Sequence, residues 1–251
     1  MSWLKRQYAL AWADLRGPLK RPFLLCTLAF LLLCAGSYAL LGRYAEQAAE
    51  IYASFAQMVE DSGLADAAGN IQALGLFANN LRAAGMGLLA GMVPFIFLPA
   101  LVLLVNAAVI GAVLAFTGGM GADVGSLILR GILPHGVFEL PAVLLSCAMG
   151  LCLCRTVTAQ VRRRPGAPRI EDELRRLVRV FLTFCTPMLV LAAIIEQHHP
   201  AHRPVPRPHV LFLQKSRHRR DLCLQREGAP GGCQRHQADR HGRALPRHGG
   251  R

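Results

Sequence analysis

Residues 74–116 read LGLFANNLRAAGMGLLAGMVPFIFLPALVLLVNAAVIGAVLAF, 43 residues in which Arg82 is the one charge. A helical membrane crossing takes about 20 apolar residues, so this stretch is too long for one crossing and about right for two. Pro94 stands near its middle, directly after Gly91, Met92 and Val93, and a proline removes an internal helix hydrogen bond. The expectation is a tight hairpin there, with spans over 74–93 and 95–116. Working outward, residues 23–41 are uncharged, and 132–154 and 177–195 are further apolar runs of membrane-spanning length. The chain therefore reads as all-α, a polytopic helical membrane protein with about five transmembrane helices.

Composition agrees. The 251 residues are 53% hydrophobic and only 17% charged, against about 25% charged in a soluble domain. The net charge of +13 is unevenly placed: residues 197–251 hold 12 basic and 3 acidic side chains, or +9 of the total, with eight of the nine histidines. The high pI thus comes largely from one segment, and nucleic acid is not an expected partner. Three regions follow: an amphipathic N-terminus over 1–22, a transmembrane bundle over 23–196, and a basic His/Arg/Pro-rich tail over 197–251.

Cytoplasmic loops are enriched in Lys and Arg, and the charges alternate accordingly. Lys5, Arg6, Arg16, Lys20 and Arg21 precede the first span against Asp14 alone, which puts the N-terminus in the cytoplasm and the protein in the cell membrane. The segment after the first span carries Glu46, Glu50, Glu60, Asp61 and Asp66 and belongs outside. Eight arginines over residues 155–179, around the loop between the fourth and fifth spans, return that loop to the cytoplasm. Only an odd number of crossings between the acidic segment and this loop satisfies both, and three do. Ser37-Tyr38-Ala39 resembles a signal-peptidase site, but it falls inside a 19-residue apolar run, so the first span reads as an anchor.

The flanks have helical periods. Leu4, Tyr8, Ala11 and Leu15 recur among basic residues, as in a helix lying at the headgroup plane before Pro18 and Pro22. Tyr44, Ala48, Ile51, Tyr52, Phe55, Met58 and Val59 keep a 3.6 period, read as a helix packed on the bundle or as an acidic docking surface. In the basic loop, Glu171 with Arg175 and Asp172 with Arg176 are expected i,i+4 pairs.

Polar residues inside the spans carry the functional signal, because burying them in lipid without partners costs several kcal/mol, to an order of magnitude. His135 and Glu139 are four residues apart on one face of the fourth span, and Ser146 and Gly150 continue that face. Asn79 and Asn80 lie in the second span and Asn106 near the centre of the third. The expectation is one intramembrane cluster of Asn80, Asn106, His135 and Glu139. It is read as a hydrogen-bonded tie between helices, with ion or proton handling as the rival. Gly87 and Gly91 form a small-xxx-small pair expected to bring spans two and three together. Gly121 and Gly125 are assigned to a turn. Six cysteines fall within spans with no C-x-x-C pair, so they act as small apolar residues. No metal, cofactor or catalytic signature is found.

At these residues the chain resembles the stage II sporulation protein M family. The resemblance rests on Phe77-Ala78-Asn79-Asn80, on Asn106 with Gly111, on Leu133-Pro134-His135-Gly136 followed by Phe138-Glu139-Leu140, and on the Ala192-Ala193-Ile194-Ile195-Glu196 ending, covering roughly residues 1–196. It implies a non-enzymatic membrane anchor that recruits peptidoglycan-degrading partners during engulfment in sporulating bacteria. Expected partners are the lipid bilayer, other membrane subunits, extracytoplasmic peptidoglycan hydrolases and a second copy of the chain. The alternative is a small transporter or channel subunit.

After Glu196 the composition switches abruptly, where family members continue with a short apolar ending containing Thr-Pro. We read the switch as a frame change. A genuine disordered basic extension and a histidine-rich metal-binding tail are the other readings, and no function is inferred from this segment.

Overall fold

A computed structural model of the chain describes residues 3–61 and 73–198. In chain order the helices are α1 (Trp3–Arg16), α2 (Lys20–Leu41), α3 (Ala45–Asp61), α4 (Ala73–Leu89), α5 (Leu98–Gly119), the single turn α6 (Val124–Ser126), α7 (Leu133–Val161), α8 (Ile170–Val180) and α9 (Thr186–His198). A 3-10 turn at Ala90–Met92 ends α4. Wide π turns at Leu127–Ile132 and Phe181–Cys185 lead into α7 and α9. The described residues contain no strand, so the all-α expectation holds. The tail over 199–251 lies outside the described residues.

Among the described residues, four helical stretches are long and apolar enough to cross a membrane: Lys20–Leu41, Leu98–Gly119, Gly136–Val161 and Ile170–Ile195. The expected span at 74–93 is not one of these four; it corresponds to α4, whose 17 residues run on into the 3-10 turn. Its role follows from contacts at the ends of the bundle. Arg179 on α8 pairs with Asp14 on α1 at 2.9 Å, and Trp12 stacks on Phe184 with ring centroids 5.9 Å apart. These contacts hold α1 and α8 at one end. The number of traverses between them must then be even, and α2, α5 and α7 supply three. The fourth traverse is α4, and the contacts described below run it parallel to α7.

The boundaries differ from the sequence reading for identifiable reasons. The hairpin between α4 and α5 is longer than a kink at Pro94. It spans 93–97, with Phe95 and Phe97 at positive φ of 68° and 50°, and α5 starts at Leu98 with Pro99 in its first turn, where a missing N–H costs nothing. The fourth span runs seven residues past 154 to Val161, because Arg155 to Gln160 include no helix breaker. It stops where Arg163 and Gly166 take positive φ. The end of the basic loop, from Ile170, and the fifth span form one helical run through the π turn, so α8 is the foot of that span rather than a separate surface helix.

At the opposite end, α3 lies on α5 through buried Ala48 and Tyr52, and Tyr52 stacks on Phe116 at 4.5 Å. Burial pushes the Tyr52 phenol above its ordinary range. Met58 and Tyr44, on the same sequence period, are exposed. The turn expected at Gly121 and Gly125 is present: Gly121 has φ +85°, and the Gly125 N–H donates to Asp123 Oδ1 at 3.0 Å.

The core has two parts. One gathers Ala84, Leu88, Ala142, Leu145, Met149, Leu153, Leu177 and Leu189 between α4, α7, α8 and α9. The other joins Cys26 and Phe30 of α2 to Leu103 and Ala107 of α5 and to Leu144, Cys147 and Ala148 of α7. The six described cysteines are unbonded, as expected of small apolar residues in a core. Gly111 lets α5 meet α2 backbone to backbone, since a Cβ there would stand 2.9 Å from the Tyr38 nitrogen and 3.0 Å from the Cys34 oxygen.

Candidate functional site

The closest helix contact built from polar and small residues is the seam between α4 and α7. Ser146 Oγ donates to the Ala84 carbonyl oxygen, fully buried. A Cβ on Gly87 would lie 3.6 Å from both Ser146 Oγ and Cys147 Sγ, which is ordinary contact. A Cβ on Gly91 would overlap the Gly150 backbone, 2.8 Å from its carbonyl carbon. One on Gly150 would overlap the Gly87 carbonyl oxygen and stand 2.8 Å from Pro99 Cγ of α5. Cys154 Sγ then donates to Val93 O at 3.3 Å. Gly150 thus sits where α4, α5 and α7 meet, a place where no side chain fits. The small-xxx-small pair does work as a contact surface, but its partner is span four rather than span three. The reason is register: the parallel run along α7 presents Ser146 and Gly150, two small residues one turn apart, to the glycine face of α4.

Successive contacts pair residues about 60 apart in sequence, which sets Asn80 level with Ala142. Glu139 is then three residues, or about 4.5 Å, closer to the α3 end. Asn80 is 6% exposed, and its amide nitrogen has no hydrogen-bond partner among the described residues. Glu139 is half-buried and does have a partner. Since Ser146 lies seven residues after Glu139, two turns on the same face, the Glu139 face is the one applied to α4. The side chains of His135 and Glu196 lie outside the described residues; their backbones belong to the first turn of α7 and the end of α9.

The asparagines differ in exposure. Asn106 is exposed on α5, where its amide nitrogen donates to the Val102 carbonyl of its own helix at 2.8 Å. Asn79, next to buried Asn80, is exposed as well. Alternation in exposure between neighbours on a helix is invisible in a count of polar residues, and it needs knowledge of which face is covered. Of the family-motif positions, Gly111 makes the α2 crossing and Gly136 is buried, with a Cβ on it meeting Ile132 and Leu140 at ordinary distances. Pro134 occupies the first turn of α7.

The basic end contains ties that sequence reading assigned otherwise. Arg176 pairs with Glu173 at 2.6 Å instead of Asp172, because Glu173 is the acid of α8 that is buried and so in need of a cation. Asp172 and Glu171 are exposed. The hairpin tip is held by its Phe95 N–H, which donates to Thr158 Oγ1 at 3.1 Å, and by Arg162 over the Phe95 ring at 5.2 Å. Arg16 likewise covers Trp12 at 4.4 Å. Asp14, alone among basic residues in the first 22, was the available signal for an ion pair.

Among the described residues, no group of three or more His, Cys, Asp and Glu side chains could hold a metal ion. No curated protein and no solved structure matches the chain. A family model does, over residues 23–197, from the start of α2 nearly to the end of α9 and including the whole α4–α7 seam; its description is Stage II sporulation protein M. With 175 of 251 residues inside that match, the chain is a membrane protein of the stage II sporulation protein M family.

Proposed function

We propose that this protein is a non-catalytic scaffold of the cell membrane, with its N-terminus and α8 in the cytoplasm and α3 outside. It would hold an extracytoplasmic peptidoglycan-degrading enzyme, or another membrane subunit, at the α3 end. The observation that supports it best is the Gly91–Gly150 contact. Backbone fills the space between α4 and α7 at the level where a conducting path along the polar face of α7 would have to continue, so the seam is suited to holding helices rather than passing ions. Sidedness rests on the positive-inside bias: both basic segments, α1 and α8, are at one end, and acidic α3 is at the other.

In this reading Asn80, His135 and Glu139 form an interhelical tie in the outer half of the bilayer. A specific observation favours the transporter reading instead: Asn80 buries an amide nitrogen with no partner among the described residues, which is costly unless something occupies the site at times. Reporter fusions after Ala65 and after Pro165 should report outside and inside respectively; the same compartment for both breaks the topology. The scaffold is tested by co-purifying the full chain with a cell-wall hydrolase in mild detergent and by measuring proton flux in liposomes. Hydrolase retention without flux supports the scaffold. Flux abolished by Glu139→Gln, which keeps hydrogen bonding but removes the charge, would replace it with transport.

A further inference from the structure

Arg82 is exposed on α4, on the side turned away from the contacts of Ala84, Gly87 and Gly91 with α7. Asn79, Arg82, Met86 and Leu89 follow one another at steps of three and four, so they share one helix face, and all four are exposed. Ala73 lies nine residues before Arg82 and Met92 ten after it, about 14–15 Å along the axis in either direction. Neighbouring helices give the same depth. With Asn80 level with Ala142, Arg82 is level with Leu144, which belongs to the core group of Phe30 and Ala107, residues near the middle of α2 and α5. A guanidinium charge thus faces outward at mid-bilayer. Among the described residues it has no ion-pair partner. Acyl chains offer neither an opposite charge nor an acceptor, and a charge held there alone is costly.

We infer that the outward face of α4 docks a transmembrane helix of another membrane protein, one that carries a carboxylate at mid-depth to pair with Arg82. A carboxylate supplies the opposite charge and two oxygens that match the guanidinium fork. Met86 and Leu89 pack against the docked helix on one side of the pair, and Asn79 offers it a donor and an acceptor on the other. A second copy of this chain does not fit. Glu139 is the one acidic residue within the five apolar runs, and its face is applied to α4 of its own chain. A two-fold contact through the same patch would set two Arg82 charges against each other. The opposite side of α4 is committed to α7, so docking leaves the seam untouched. The inference does not depend on the scaffold reading; it needs α4 to cross the bilayer, which the fusions after Ala65 and Pro165 test separately.

The test uses the full chain in liposomes of zwitterionic lipid, with a synthetic leucine–alanine transmembrane peptide that bears one Glu at its centre. Energy transfer between labelled chain and labelled peptide reports binding. The Glu peptide should bind at least about tenfold more tightly than the same peptide with Gln. Arg82→Gln should erase that preference, and Arg82→Glu should move it to a Lys peptide. A photo-crosslinker at Met86 should capture the Glu peptide, and one at Leu25, exposed on α2, should not. The inference is overturned if the Glu and Gln peptides bind alike or if the preference persists in Arg82→Gln. It is equally overturned if, with the Glu peptide present, the Met86 crosslinks run to a second copy, to residues 62–72 of the same chain or to lipid alone.

Discussion

α2 and α7 are nearly equal in hydropathy, 2.2 and 2.0, yet 56% of the crossing window of α7 is buried inside the protein against 11% of that of α2. The difference is one of side-chain size and polarity. α2 presents Leu24, Leu25, Leu28, Leu31 and Leu32 outward, large apolar groups that lipid solvates as well as protein does. α7 carries Ser146, Cys147, Ala148, Gly150, Cys152 and Cys154, a run of small residues that lets other backbones approach. In a bilayer there is no hydrophobic drive to bring helices together. Close approach and hydrogen bonding decide which helix is central, and hydropathy decides only which helices cross.

That contrast can be broken most directly at Gly150. Gly150→Leu should destabilise the bundle by about 3 kcal/mol, the upper range of overpacking costs, because the added side chain meets Gly87 and Pro99 backbone and ring atoms rather than flexible groups. Unfolding in mixed detergent should show it. Leu31→Ala on the exposed face of α2 should stay within about 0.5 kcal/mol. Equal effects at the two positions would show that size does not distinguish the helices.

A smaller effect is expected at the basic end. Asp14→Asn should cost about 1 kcal/mol, as for a partly exposed ion pair, since the partners keep 17% and 23% side-chain exposure. The loss should shrink as salt rises, and protease sensitivity after Arg16 should increase as α1 loosens. Smallest of all, Ser146→Ala should cost about 0.6 kcal/mol, the average for an interhelical bond in a membrane. A value above 2 kcal/mol would mean that the Ser146–Ala84 bond, rather than glycine contact, sets the seam.

Most of the architecture was legible in the sequence because crossing a bilayer is a demand on length and apolarity, both countable. The hairpin at Pro94, the helix at 45–61 and the turn at Gly121 follow from local chemistry. What was not legible was partner choice between helices. Gly87 and Gly91 announce a close contact but do not say with which helix, and the answer, α7, lies across an intervening span. Asn106 joins a polar cluster on paper, whereas its place depends on which face of α5 is taken by α2 and α3. Glu173 outranks Asp172 as the partner of Arg176 through burial, which spacing cannot express.

The hydrogen bond from Ser146 to Ala84 closes a gap of 62 residues, and this has a consequence for time. At about 5–20 residues per second of synthesis, the two halves of the seam emerge about 3–12 s apart. Through that interval α4, short and carrying Asn79, Asn80 and Arg82, has neither the length to settle in the bilayer alone nor the glycine-faced partner it is shaped for. The glycine face that α4 applies to α7 in the finished bundle is therefore the face that the growing chain leaves uncovered until α7 has been made.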